Sequence, residues 1–236
     1  MQKRRKPNPD QRRRELCDAA IQLLADDGAK GLSHLKVDAR AGAPDGTTSF
    51  YFRTRSALLR AVAERMVELD LAALQSVADR AALQSVADRA GLDDGASAST
   101  LANLVIQSGE EPQLSRTKAR YELTMQATRD SEIAATLQRA TDAFTKLHHD
   151  ILVQLLPHGA ELDPAVVDDL SNVTLTFING LLLRFAHGDR IIDSPEQLDA
   201  VLSAVVTGIL RSEQQGRLTH TGASLQPRRR RSSSNR

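Results

Sequence analysis

The chain has 236 residues, 41% hydrophobic and 26% charged, with few aromatics, one cysteine and a formal net charge of +1. That length fits one small and one larger domain, and a single cysteine excludes an internal disulfide or a multi-cysteine metal site. No apolar run approaches the roughly eighteen residues that span a bilayer, and the basic N-terminus lacks the apolar centre of a secretory signal, so the expected location is the cytoplasm.

Apolar residues recur at helical spacing almost throughout, and no stretch alternates with period two, which predicts an all-α fold. The near-neutral total conceals an asymmetry. Residues 1–60 carry 13 Lys/Arg against 7 Asp/Glu, a net +6, whereas residues 61–226 carry −10 and residues 227–236 carry +5. A basic head on an acidic body directs nucleic acid to the head.

Residues 1–9 contain Lys3, Arg4, Arg5, Lys6 and two prolines. They read as a disordered basic arm, either entering a DNA groove or merely solvated. From Asp10, Leu16, Ala19, Ala20, Leu23 and Leu24 form a one-sided helical stripe that ends at Gly28. Cys17 lies beside that stripe as a reduced, partly buried thiol.

A second helix opens at Ser33, whose hydroxyl suits an N-cap, with Leu32 and Val37 at the hydrophobic-staple positions. Gly42 suits a left-handed residue after the helix end, and Pro44 opens the next helix, which runs to about Phe52. Two helices joined by so short a turn form a helix-turn-helix. Asp45, Gly46, Thr47, Thr48, Ser49 and Tyr51 are read as its outward residues, free to approach a base edge or phosphate. Gly46 weakens a helix by roughly 1 kcal/mol relative to Ala, which suggests close approach by another backbone. His34 either holds a phosphate at its helix start or is a solvent-facing neighbour of the cap. Asp45 either accepts from a cytosine amino group or complements the positive helix end. Arg53 and Arg55 read as phosphate clamps that fix register.

The run from Ala41 to Leu59 resembles the DNA-binding signature of the TetR family of bacterial regulators, with Ala41, Gly42, Gly46, Thr47, Tyr51, Phe52, Arg55 and Leu58 matching. It departs at Ser49, where the family usually has a base-facing aromatic, and at Asp45, which is often basic. The resemblance implies a DNA-binding head over 10–55, with Ser33, His34, Asp45, Gly46, Thr47, Thr48, Ser49, Tyr51, Arg53 and Arg55 as its contact residues. It also implies an effector-binding and dimerisation body over 56–216, followed by a disordered basic tail over 217–236.

Within the body, Leu58, Leu59, Val62, Met66 and Leu69 define a long helix from Ser56. Its end repeats AALQSVADR at 72–80 and 81–89. Nine residues at about 100° each bring the second copy to the opposite side, so an overhang or loop left by duplication is expected. Residues 91–99 read as a flexible break. Helices are then expected at 100–108, 112–129, 131–156 and 164–186, the last opened by Asp163-Pro164. Another runs from the Ser194–Gln197 capping box to about Glu213. The 164–186 helix is apolar on two sides, Leu170, Val173, Phe177 and Leu181 on one and Val167, Leu175, Ile178 and Leu182 on the other. It therefore needs two neighbours, and Gly180 and Gly208 would permit close helix approach.

The resemblance implies pairing through the last two helices and an effector pocket among the middle ones. Tyr121, Met125, Phe144, His148 and Phe177 are candidate lining, with Arg129 or Arg184 anchoring an acidic ligand. His148 and His149 point about 100° apart on a helix and cannot readily share an ion, so neither a metal nor a cofactor is expected. The arginine run at 228–231 is either a nucleic-acid or targeting patch or a solvated tail. The expected function is a homodimeric regulator that binds a palindromic operator in double-stranded DNA and is released by a small-molecule effector. An effector-independent architectural DNA binder is the first alternative. An all-α enzyme is the second, and no phosphate loop, nucleophile–base set or metal spacing supports it.

Overall fold

The computed structural model describes residues 8–89, 99–155 and 163–214. Every regular element among them is a helix, as the apolar periodicity predicts: α1 (Pro9–Gly31), α2 (His34–Arg40), α3 (Thr47–Tyr51), α4 (Arg55–Arg89), α5 (Thr100–Gln107), α6 (Gln113–Ala127), α7 (Ser131–Leu155), α8 (Pro164–Ala186) and α9 (Pro195–Gln214). Residues 1–7 of the basic arm, residues 90–98 and residues 215–236 lie outside the described residues.

Local chemistry accounts for most of the boundaries. Asn8 caps α1 by accepting from the Asp10 N–H at 3.2 Å, and α1 breaks at Gly28, where φ is 66°. Asp163 accepts from the Ala165 N–H at 2.9 Å, with Pro164 at the first helical position of α8. Ser194 accepts from the Gln197 N–H at 3.2 Å, and the Gln197 side chain reaches back to the Asp193 N–H at 3.4 Å. That reach is one residue earlier than a standard capping box.

Two apolar clusters hold the chain. The first joins the α1 stripe to Leu32, Val37 and Phe52 of the head, to Leu58, Leu59, Val62 and Met66 of α4, and to Ala119, Leu123 and Ile133 of α6 and α7. Its extent shows that the head packs on the body through a shared core. The second joins Leu101, Ala102, Val105 and Ile106 of α5 to Ile178, Leu181 and Phe185 of α8 and Leu198 of α9. Cys17 is fully buried in the first cluster, and burial pushes its thiol up to about 12, although Arg13 works against that.

Two expectations are corrected. Both copies of AALQSVADR continue α4, and the first copy buries Leu74 and Val77, so it is packed helix rather than loop. Helix α8 is long and apolar enough by composition to cross a membrane, with a mean hydropathy of 1.2 over its most apolar stretch. That composition serves its apolar faces, one of which packs on α5 and α9. Among the described residues, no atom lies within 4 Å of where a Cβ would stand at Gly180 or Gly208.

Candidate nucleic-acid interface

The head is assembled around a buried carboxylate. Leu32 and Val37 are both buried and staple the start of α2, and the Ser33 hydroxyl accepts from the Lys36 N–H at 3.3 Å. Asp38, on the inner side of α2, is 1% exposed. Its two oxygens accept from the Gly46 N–H at 2.8 Å, the Thr48 N–H at 2.7 Å and the Thr48 hydroxyl at 2.5 Å. Gly46 supplies no side chain to cap α3, so Asp38 provides that cap from the preceding helix. Residue periodicity did not reveal this; the signal was an Asp on the apolar side of α2, one turn before the Gly-rich corner.

Gly46 has φ 86° and no protein atom within 4 Å of a notional Cβ. Glycine is needed there for its left-handed backbone, and no protein segment among the described residues approaches it. Gly42 has φ 59°, the left-handed conformation expected after α2.

The outward face of α3 differs from the sequence reading. Thr48 points inward and is fully buried against Asp38. Tyr51 is half-buried and packs against the core. Thr47 is half-exposed, its hydroxyl donating to the Pro44 carbonyl at 2.6 Å. Asp45, Gly46 and Ser49 are exposed, and so is Phe50, which the sequence reading omitted and which is 80% exposed with its ring edge-on to Tyr51. Leu35 on α2 is likewise 61% exposed. Large apolar side chains standing in water beside a polar helix tip are the missed feature of this surface.

The basic residues sort into tethers and free groups. Arg55 is exposed, and its guanidinium donates to the carbonyls of Ala29 and Leu32. It therefore closes the corner between α1 and α2, a tether that the sequence reading did not include. His34 Nε2 lies 2.7 Å from the Phe52 carbonyl, tying the start of α2 to the end of α3. It is thus a tie within the head rather than a free phosphate donor. Arg53 is exposed and has no acidic partner among the described residues.

The predicted effector residues converge less well. A cavity of about 220 Å³ lies between α4, α5, α6, α7 and α8, and of the predicted residues only Phe144 lines it. Tyr121 stands behind its wall, with its hydroxyl donating to the carbonyl of the lining residue Asn179 at 3.0 Å. Met125 and Arg129 are exposed away from it, Phe177 packs into the second cluster, and Arg184 pairs with Asp189 on the surface at 2.5 Å. His148 is buried, with its ring stacked on Phe144. The Thr174 hydroxyl donates to the Leu170 carbonyl, so His148 Nε2 donates to that hydroxyl at 2.7 Å. Nδ1 is left without a partner among the described residues, and burial lowers the ring to about 4. The side chains that do line the cavity include Asp70, Arg116 and Arg120, none of them predicted.

Helix α6 connects this cavity to the head. It carries Arg116 and Arg120 into the lining, and two residues beyond Arg120, Glu122 accepts from the Ala29 N–H at 2.9 Å, beside the break at Gly28.

Comparison with known proteins agrees with this layout. Residues 92–212 match the family described as the tetracyclin repressor-like C-terminal domain. A transcriptional regulator from Rhodococcus sp. Rha1 superposes with a TM-score of 0.59 at 17% identity, covering 85% of this chain and 96% of its own. The fatty acid degradation regulator FadR from Bacillus halodurans does so with a TM-score of 0.55 at 18% identity, covering 87% and 97%. The multidrug binding protein EbrR, complexed with ethidium, gives a TM-score of 0.54 at 23% identity, covering 84% and 99%. No curated protein matches the sequence.

Proposed function

The chain belongs to the TetR family of transcriptional regulators, and from that premise we infer that it is a homodimeric repressor that leaves a palindromic operator when a small molecule occupies its body. DNA-binding transcriptional regulation is the activity of the family; the repression, the operator symmetry and the ligand response are our reading. The observation that carries it is the α2–α3 corner: a five-residue helix locked by Asp38 and offering Ser49 and Phe50 outward. An exposed Phe beside a small polar side chain suits contact with a thymine methyl group in the major groove. Arg53 and the exposed Asp45 flank it, Arg53 suited to a phosphate. On this reading the functional division falls at 10–55 and 56–216, even though the apolar core crosses it.

Pairing is supported by the outer surface of α8 and α9. Val173 and Leu183 are 45% and 43% exposed, and the exposed Gly180 and Gly208 leave room there for another helix. Two heads carried on one dimer read two half-sites about one helical turn apart. Release follows if occupancy of the cavity shifts α6, since Glu122 would then carry that shift to Ala29 and alter the head's population of DNA-competent orientations. The test is selection of bound fragments from genomic DNA by the full chain, followed by anisotropy titration on the selected duplex and on a scrambled one. A preference of at least tenfold for a palindromic duplex is expected, and equal affinity for both would refute the reading in favour of an architectural DNA binder.

A further inference from the structure

The cavity of about 220 Å³ is smaller than the ~300–1,000 Å³ typical of drug-sized sites, so it suits a compact ligand. Leu74, Leu104, Leu137, Phe144 and Leu182 supply its apolar walls. Its charged lining is two guanidiniums and one carboxylate, Arg116, Arg120 and Asp70. Arg120 and Asp70 satisfy each other, with Nη2–Oδ1 and Nε–Oδ2 distances of 2.5 and 3.2 Å. Several lining hydroxyls are also committed. Thr124 donates to the Arg120 carbonyl, Thr117 to the Ser108 and Gln113 carbonyls, and Ser108 to the Leu104 carbonyl.

Arg116 is the exception. It is half-buried, it lines the cavity, and it has neither a carboxylate nor a hydrogen-bond partner among the described residues. A guanidinium withdrawn partly from water without a counter-charge is a standing site for an anion, and its planar fork matches a carboxylate with two parallel bonds. We propose that this cavity takes a compact organic monoanion, an apolar body bearing one carboxylate, with the carboxylate on Arg116 and the body against Phe144 and the leucines. The proposal rests on the effector-released reading above and names the chemical class of that effector. An amphipathic cation fits worse: it would have to detach Asp70 from Arg120 and then sit beside two guanidiniums.

The test is calorimetric titration of the full-length protein with benzoate, 4-tert-butylbenzoate and octanoate, each against its amide and the amine of the same skeleton. At least one carboxylate is expected to bind ten or more times tighter than its amide, with the amines weaker still. Arg116→Gln should remove that preference while leaving the melting temperature unchanged, and Arg116→Lys should restore part of it. The proposal is overturned if no carboxylate binds, if acid and amide bind equally, if amines are preferred, or if Arg116→Gln binds carboxylates like the parent. Operator affinity is measured in parallel without any compound. Loss of operator binding by the parent protein defeats the regulator reading, whereas intact operator binding without a carboxylate preference defeats only the ligand class.

Discussion

Replacing Asp38 with Ala tests whether the recognition helix depends on a carboxylate borrowed from its neighbour. Helix α3 has five residues, far short of the ~12–15 at which an isolated helix becomes even marginal in water. Its order must therefore come from outside. The carboxylate accepts three bonds, two of them to the buried Thr48. Truncation leaves the Thr48 N–H and hydroxyl without an acceptor, whereas the Gly46 N–H lies at an exposed residue and can turn to water. Each abandoned buried donor costs ~1–3 kcal/mol, so the expected loss for two is about 2–6 kcal/mol. For a chain of this size that lowers the melting temperature by roughly 4–24 °C if unfolding is cooperative. Asp38→Asn should cost less, because its amide keeps one acceptor oxygen. The assay is thermal unfolding by circular dichroism, with hydrogen exchange at the Thr48 amide to localise the effect and DNA anisotropy to follow function. Operator affinity should fall at least tenfold in Asp38→Ala. Parental melting, together with parental protection of the Thr48 amide, would refute the claim that Asp38 holds α3.

Arg53→Ala should weaken binding to every duplex and lower the salt slope by about one unit, whereas Arg55→Ala should lower the melting temperature through the carbonyls of Ala29 and Leu32; a salt slope changed only by Arg55→Ala would reverse these roles. Gly46→Ala should cost roughly 1–2 kcal/mol of stability from its left-handed backbone alone, since no protein atom obstructs the added methyl; a neutral effect by denaturant unfolding would show that the turn relaxes freely. His148 has a folded value lowered from 6.5 to about 4 by burial, with a smaller contribution from His149. The unfolded chain therefore takes up that proton first, and stability is full above about pH 6.5, declines as pH falls toward 4, and loses at most about 3 kcal/mol. Denaturant unfolding of His148→Leu from pH 7 to 4 should show a shallower decline than the parent, and superimposable slopes would remove His148 from the account. Leu123→Ala, at the joint between α6 and the head, should cost about 2–5 kcal/mol, measured by denaturant unfolding; a cost under 1 kcal/mol would mean that the shared core is loosely packed.

Helix existence was legible because it follows from spacing along the chain alone. The stripe of α1, the staple at Leu32 and Val37, the Asp163 cap and the Ser194–Gln197 pair all act within one or two turns, and all appear within a few residues of where the sequence put them. The helix-turn-helix was legible for the same reason, Gly42 and Pro44 being local conformational constraints. The inward turn of Thr48 was not. A short polar residue on a short helix reads as outward unless its partner is known, and the partner, Asp38, lies ten positions away across a corner. The tether of Arg55 was hidden similarly, because the carbonyls that hold it belong to residues 29 and 32.

The cavity was the least legible part, and the reason is geometric. Five helices contribute to it, so which side of α6 faces inward depends on where α4 and α8 lie, a relation that no local spacing encodes. Aromatic residues and His148 were natural candidates as large or chemically versatile groups, yet large side chains also fill cores, and Phe177 and His148 do so here. Charge is the better discriminator. A charge withdrawn from water calls for a counter-charge, and in the cavity wall the half-buried Arg120 has Asp70. Among the described residues, Arg116 is the charged side chain of the cavity that lacks such a counter-charge. Its helix is also the one whose Glu122 grips the head at Ala29. Ligand charge and head position thus meet on the same fifteen-residue helix, less than two turns apart, so an anion that neutralises Arg116 acts on the element best placed to move the DNA-binding corner.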